Sequence, residues 1–146
     1  MKTPDRARWI LVADGNRARL FRATKTIHDR NHVAEVQSIA ATPMDREHGR
    51  PSCLGAKAGH SYASFSREKE EHLRRFVGDV IEWLDRQVGA LGIDRIHLFA
   101  PPRFLGELRK AARPPLKSML AENKGEMIHM TASDLARHPA VAVCMG

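Results

Sequence analysis

The sequence predicts an α/β fold, a single-domain sandwich built on a mixed sheet and spanning residues 1–146. Three observations predict it. Residues 9–39 carry three short strand patterns, a long amphipathic helix follows, and an apolar segment succeeds that helix across a very short link. Such a link makes the helix a crossover between strands of one sheet, so antiparallel pairing at the start gives way to parallel pairing later.

Trp9-Ile10-Leu11-Val12-Ala13 is continuously apolar, as expected of a strand covered on both faces. Asp14-Gly15-Asn16 is a hairpin signal, because these residues tolerate positive φ. Arg17 to Ala23 returns as a second strand, with Ala18 and Leu20 on one face and Arg17, Arg19 and Phe21 on the other. A third strand, Val33 to Ile39, alternates Val33, Glu35, Gln37 and Ile39 against Ala34, Val36 and Ser38, as a half-exposed neighbour would.

Residues 40–65 show no usable period and contain Pro43, Gly49, Pro51, Gly55 and Gly59 among Arg46, His48, Arg50, Lys57 and His60. A loop of this length inside a compact domain is usually functional or mobile. Ser66 is suited to cap the next helix, and Glu68 and Glu70 suit its first turn. Leu73, Phe76, Val77, Val80, Ile81, Leu84, Val88 and Leu91 then recur three and four apart, which predicts a helix over residues 67–91 with Gly92 just past its end. Trp83 lies at the edge of this stripe and reads as a packing residue.

Ile93 to Ala100 predicts a buried central strand, stopped by Pro101-Pro102. Phe104 to Ala112 reads as a short helix, Pro114 and Pro115 break it, and Leu116 to Glu122 restart it. Met127 to Met130 reads as the last strand, and Ser133 as the cap of a final helical turn with Leu135 and Ala136. The order is three strands, a long loop, a helix, a strand, helices, a strand and a helix. Ribonuclease H-like domains share it.

The 146 residues carry 17 Arg and 7 Lys against 17 Asp and Glu, a formal charge of +7 with neutral histidines. Hydrophobic residues make up 42% of the chain, which excludes a wholly disordered class. No apolar run approaches the roughly 18 residues of a membrane span, and the N-terminus does not read as a signal peptide, so a cytoplasmic protein without membrane insertion is expected. Cys53 and Cys144 stand 91 residues apart without a CxxC pair, and read as free thiols. Arginine forks match phosphate geometry, so an anionic partner such as RNA fits the charge.

Several chemistries fail on spacing. A two-metal nuclease needs clustered carboxylates, but Asp14 closes the first strand while Asp94 opens the fourth. Were those strands parallel neighbours, the two groups would stand roughly 20 Å apart. No GxxxxGK[ST] or GxSxG motif occurs, and no base is fixed beside Cys53. Neither a metal site nor a cofactor is read from the sequence. One anion site is suggested where Ala100-Pro101-Pro102-Arg103-Phe104 ends a strand and opens a helix, with Arg103 as clamp or, alternatively, paired with a surface carboxylate. Arg17 and Arg19 read as a solvated strand face.

Trp9-Ile10-Leu11-Val12-Ala13-Asp14-Gly15, Arg17-Ala18-Arg19-Leu20-Phe21 and Ala100-Pro101-Pro102-Arg103-Phe104-Leu105-Gly106 together resemble the bacterial host-attachment protein family, over roughly residues 8–138. The resemblance implies a relationship to the central domain of archaeal and eukaryotic peptide release factors, which has a similar order of strands and helices. There a Gly-Gly-Gln loop promotes hydrolysis of peptidyl-tRNA. The corresponding segment here, Ser52-Cys53-Leu54-Gly55-Ala56-Lys57-Ala58-Gly59-His60, contains no Gly-Gly-Gln, so no catalytic residue carries over.

The expectation is a module binding ribosomal RNA or tRNA through Arg46, Arg50, Lys57 and His60, with Arg103 as a further anion contact. Two alternatives stand beside it. One is a hydrolase of an RNA ester or small phosphorylated substrate, with His60 as base and Arg103 as clamp. The other is a factor acting indirectly on attachment to host cells.

Overall fold

A computed structural model describes residues 7–25, 28, 30–42 and 58–145, with side chains described from residue 67 onward in the long helix. Five strands form one sheet: β1 (Arg8–Ala13), β2 (Arg17–Lys25), β3 (Asn31–Ala40), β4 (Ile96–Ala100) and β5 (Leu120–Lys124). Their spatial order is β3-β2-β1-β4-β5. β1 pairs antiparallel with β2 and parallel with β4; β2 and β3 are antiparallel, β4 and β5 parallel. The mixed sheet expected from the sequence is thus observed. The helices are α1 (Ala58–Leu91), α2 (Pro102–Ala111), α3 (Leu116–Met119), α4 (Ala132–Arg137) and α5 (Pro139–Met145).

Strand alternation divides the core into two layers. Trp9, Leu11, Leu20, Ile96 and Leu98 meet Phe76, Val77, Val80, Trp83 and Leu84 of α1 and Phe104, Leu105 and Leu108 of α2. Ile10, Val12, Phe21, Val33 and Phe99 meet Met127, Ile128, Leu135, Val141 and Met145 on the other side. Each such burial contributes roughly 1.5–3 kcal/mol before entropy is counted. Exposed pairs such as Arg109–Glu122, at 2.9 Å, contribute much less.

Several boundaries differ from the sequence reading; β4, for one, starts at Ile96 rather than Ile93. The long helix begins at Ala58, so residues 58–65 of the expected loop are helical and Ser66 lies inside the helix rather than at its cap. Ala58, Tyr62 and Phe65 are themselves three and four apart, but the polar run from Ser66 to His72 separates them from the stripe that begins at Leu73. Residues 43–57 of that loop lie outside the described residues. The restart after Pro115 is helical only to Met119, and Leu120–Lys124 pairs with β4 as the last strand.

Met127–Met130, read as a strand, is a turn closed by the Met130 N–H donating to the Met127 carbonyl at 3.1 Å. A strand would send Met127 and Ile128 to opposite faces, whereas the turn buries both in the second core. Thr131, not Ser133, caps α4. Its hydroxyl accepts from the Asp134 N–H while the Asp134 carboxylate accepts from the Thr131 N–H, a reciprocal pair that Ser133 cannot make.

β3 carries the last correction. Phe21 faces Glu35 but Leu20 faces Gln37, so Val36 is the extra residue of a β-bulge. The bulge resets the alternation: Val36 and Ile39 both pack on the first core, while Glu35 and Ser38 share the opposite face with Arg19. A strict period of two had put Val36 and Ile39 on different faces.

Candidate nucleic-acid interface

The carboxyl ends of β1, β4 and β5 define one end of the molecule, and the start of β2 and the end of β3 lie there too, since Arg17 faces Ala40. Asp14 shapes this end as a turn residue: its carboxylate accepts from the Asn16 and Arg17 N–H groups at 2.8 and 2.9 Å. Asp94 precedes β4 at the far end of the parallel pair, where Trp9 faces Ile96. About 20 Å of strand rise separates the two carboxylates, so they share no site.

A groove of about 450 Å³ opens on the second-core side, lined by Arg17, Arg19, Glu35, Ser38, Ala40, His129, Met130 and Thr131. The two arginines differ in what they hold. Arg19 is not solvated as the sequence suggested; its side chain is 18% exposed. Its guanidinium donates to both Glu35 oxygens, at 2.9 and 3.4 Å, and to the Ile128 and Met130 carbonyls, at 2.9 and 2.7 Å. It also lies over the Phe21 ring, 4.8 Å from the centroid. These contacts consume its donors and fix the 127–131 turn.

Arg17 is exposed and meets no carboxylate among the described residues. Its guanidinium reaches only the Ile128 carbonyl at 3.5 Å and His129 Nδ1 at 3.3 Å, long contacts that leave donors turned to the groove. Below it, the backbone N–H and hydroxyl of Thr131 hold the Asp134 carboxyl below its ordinary value.

Of the residues singled out from sequence, Arg103 occupies the second position of α2, exposed and without an ion pair among the described residues. No described carboxylate pairs with it. Pro102 opens this helix at its first turn, where a missing N–H costs nothing, and Phe104 anchors it by an edge-on contact with Phe76 at 6.4 Å. His60 lies in the first turn of α1 rather than in a loop. Arg46, Arg50 and Lys57 lie outside the described residues. The structure brings Arg17 and Arg103 to one end of the sheet, on opposite layers. Sequence reasoning missed the groove around Arg17 and His129, because the bulge and the 127–130 turn that build it leave no periodic signal.

A five-stranded mixed sheet covered by helices on both faces, with exposed cations at the carboxyl ends of its parallel strands, defines an α/β domain with a candidate anion-binding end. The chain belongs to the family described as "protein required for attachment to host cells", whose model matches residues 9–138. Comparison with curated proteins returns no match. Among the described residues, no helix is long and apolar enough to cross a membrane.

Proposed function

We propose that this chain is a cytoplasmic RNA-binding module, related to the central domain of archaeal and eukaryotic release factors, that contacts ribosomal RNA or tRNA without promoting hydrolysis. The observation that carries the reading is the gathering of unneutralised cations at one end of the sheet. Arg17 and Arg103 stand there exposed and, among the described residues, free of carboxylates. The segment bearing Arg46, Arg50 and Lys57 joins β3 to α1 in the chain. Guanidinium groups held without carboxylate partners suit phosphate oxygens, and several spaced over one end suit a phosphodiester backbone. The absence of Gly-Gly-Gln supports binding without peptidyl-tRNA hydrolysis.

The test is sedimentation of cell lysate on sucrose gradients at low and moderate salt, probing the protein across ribosomal fractions. Comigration should weaken with salt and disappear when Arg17, Arg46, Arg50 and Arg103 are changed together to Ala. In purified form, each single change should lower the salt slope of RNA binding by about 0.7. Sedimentation only at the top of the gradient under both conditions, with no salt-dependent RNA binding, would overturn the reading.

A further inference from the structure

At the opposite end of the sheet, the amino ends of β1 and β4 enclose a separate cavity of about 330 Å³, lined by Ala7, Arg8, Trp9, Asp94, Arg95 and His97. The parallel register explains its charge. Trp9 faces Ile96 and Ile10 faces His97, so one step earlier Arg8 stands opposite Arg95. Neighbouring strands lie about 4.8 Å apart, and like charges directly opposite one another are unfavourable. Neither guanidinium is relieved: Arg8 and Arg95 form no ion pair among the described residues, although Asp94 lines the same cavity. Alternation along β4 puts Arg95 and His97 on one face, and alternation along β1 puts Arg8 on that face with Ile10, His97's register partner.

We propose that this cavity is a binding site for a small phosphomonoester, with Arg8 and Arg95 gripping the phosphoryl oxygens, His97 completing the oxyanion contacts, and the remaining cavity volume taking the organic group. Two facing guanidiniums match the several oxygens of a doubly charged phosphoryl group, and a bound anion removes their mutual repulsion. The cavity is larger than a bare oxyanion needs and falls within the size of small-molecule sites. His97 reports on the same field. Its pKa lies below the ordinary 6.5 because of burial first, then Arg95 and Arg8. The groups acting on it are Arg95 beside it, Arg8 across the strand pair and Asp94 at the cavity rim; Cys144 of α5 also feels Arg8. An anion between the arginines screens both, so binding raises the His97 pKa and takes up a proton.

The probes are inorganic phosphate and phenyl phosphate, followed by the His97 ring and Arg95 backbone amide resonances in NMR spectra of the full chain. Saturable shifts of both are expected, with the His97 midpoint moving upward at saturation and phenyl phosphate binding severalfold tighter than phosphate. Arg8→Gln and Arg95→Gln, both at exposed positions, should each weaken binding at least fivefold and raise the His97 midpoint without ligand, while the folded spectrum persists. Shifts that stay linear with added phosphate, or that sodium chloride reproduces at equal ionic strength, would overturn the site. Unchanged binding in the double Gln variant would do the same, and equal affinity for the two probes would overturn the ester assignment.

Discussion

Arg19 and Glu35 meet fork to fork across β2 and β3, at 2.9 and 3.4 Å, although strand register pairs Arg19 with Ser38 and Glu35 with Phe21. The bulge at Val36 makes this diagonal contact possible, because it keeps Glu35 and Ser38 on the same face as Arg19. The pair does more than link two strands. While Glu35 holds one edge of the guanidinium, the other edge supplies the two donors that fasten the 127–131 turn over the sheet.

The two partners therefore have unequal weight. Arg19→Met removes the donors to the Ile128 and Met130 carbonyls and the contact over Phe21, and should cost about 2–3 kcal/mol in urea unfolding. Glu35→Gln keeps a hydrogen-bond acceptor at a side chain 39% exposed, and should cost less than about 1 kcal/mol. Equal losses from the two changes would contradict this division of roles.

Two glycines of α1 and its end should respond to alanine with opposite signs. Gly92 has φ +66°, and its N–H and that of Ile93 both donate to the Val88 carbonyl, at 3.0 and 3.2 Å, closing the helix. Gly92→Ala strains this left-handed residue and should destabilise by about 1 kcal/mol. Gly78 sits within the helix with open space where a Cβ would stand, so Gly78→Ala should stabilise by about 0.5–1 kcal/mol. Thermal or urea unfolding of the two variants measures both signs.

Stability should fall in mild acid because of His97. Its folded pKa is lowered below 6.5, so above that value both states are neutral and the residue contributes no pH dependence. As pH falls through 6.5 the unfolded chain takes up a proton that the folded chain refuses, and stability drops until the lower folded pKa is passed. His97→Gln should flatten this part of the stability–pH curve. An unchanged slope would show that His97 is not its source.

Asp134 acts further into acid, and its pKa is likewise shifted downward. Its folded pKa is depressed below 3.8, chiefly by the Thr131 N–H and then by the Thr131 hydroxyl. Its contribution is complete above 3.8 and is lost as pH falls through the folded value. Thr131→Ala removes the hydroxyl from the cap, should cost about 1 kcal/mol at neutral pH, and should bring the Asp134 midpoint upward in an NMR titration.

Residues with one strong local signal were readable in advance. Trp9–Ala13, the Asp14 turn, the stripe from Phe76 to Leu84 and Gly92 all behave as their own neighbourhood dictates. Where two signals competed, the local one misled. Leu116, Met119 and Leu120 have helical spacing, yet Leu120 joins β5 because an unpaired edge of β4 lies beside it. Met127 and Ile128 look like a strand but answer to a core assembled from β1 to β4 and the two helices that follow them. The candidate site divides in the same way: the position of Arg103 follows from Pro101-Pro102, whereas the Arg17 groove depends on a bulge and a turn more than ninety residues apart.

The length of α1 has a consequence for any ligand at the carboxyl end. Gly15, at the tip of the first hairpin, lies close to Leu73, and residues 67–71 are exposed around a full turn. The fifteen residues 58–72 run about 22 Å along the helix axis back from Leu73. A lone phosphate seated beside Arg17 is far shorter than that span. A strand several nucleotides long matches it, which makes oligonucleotide length a ruler for whether the hairpin tip and the start of α1 work on the same molecule.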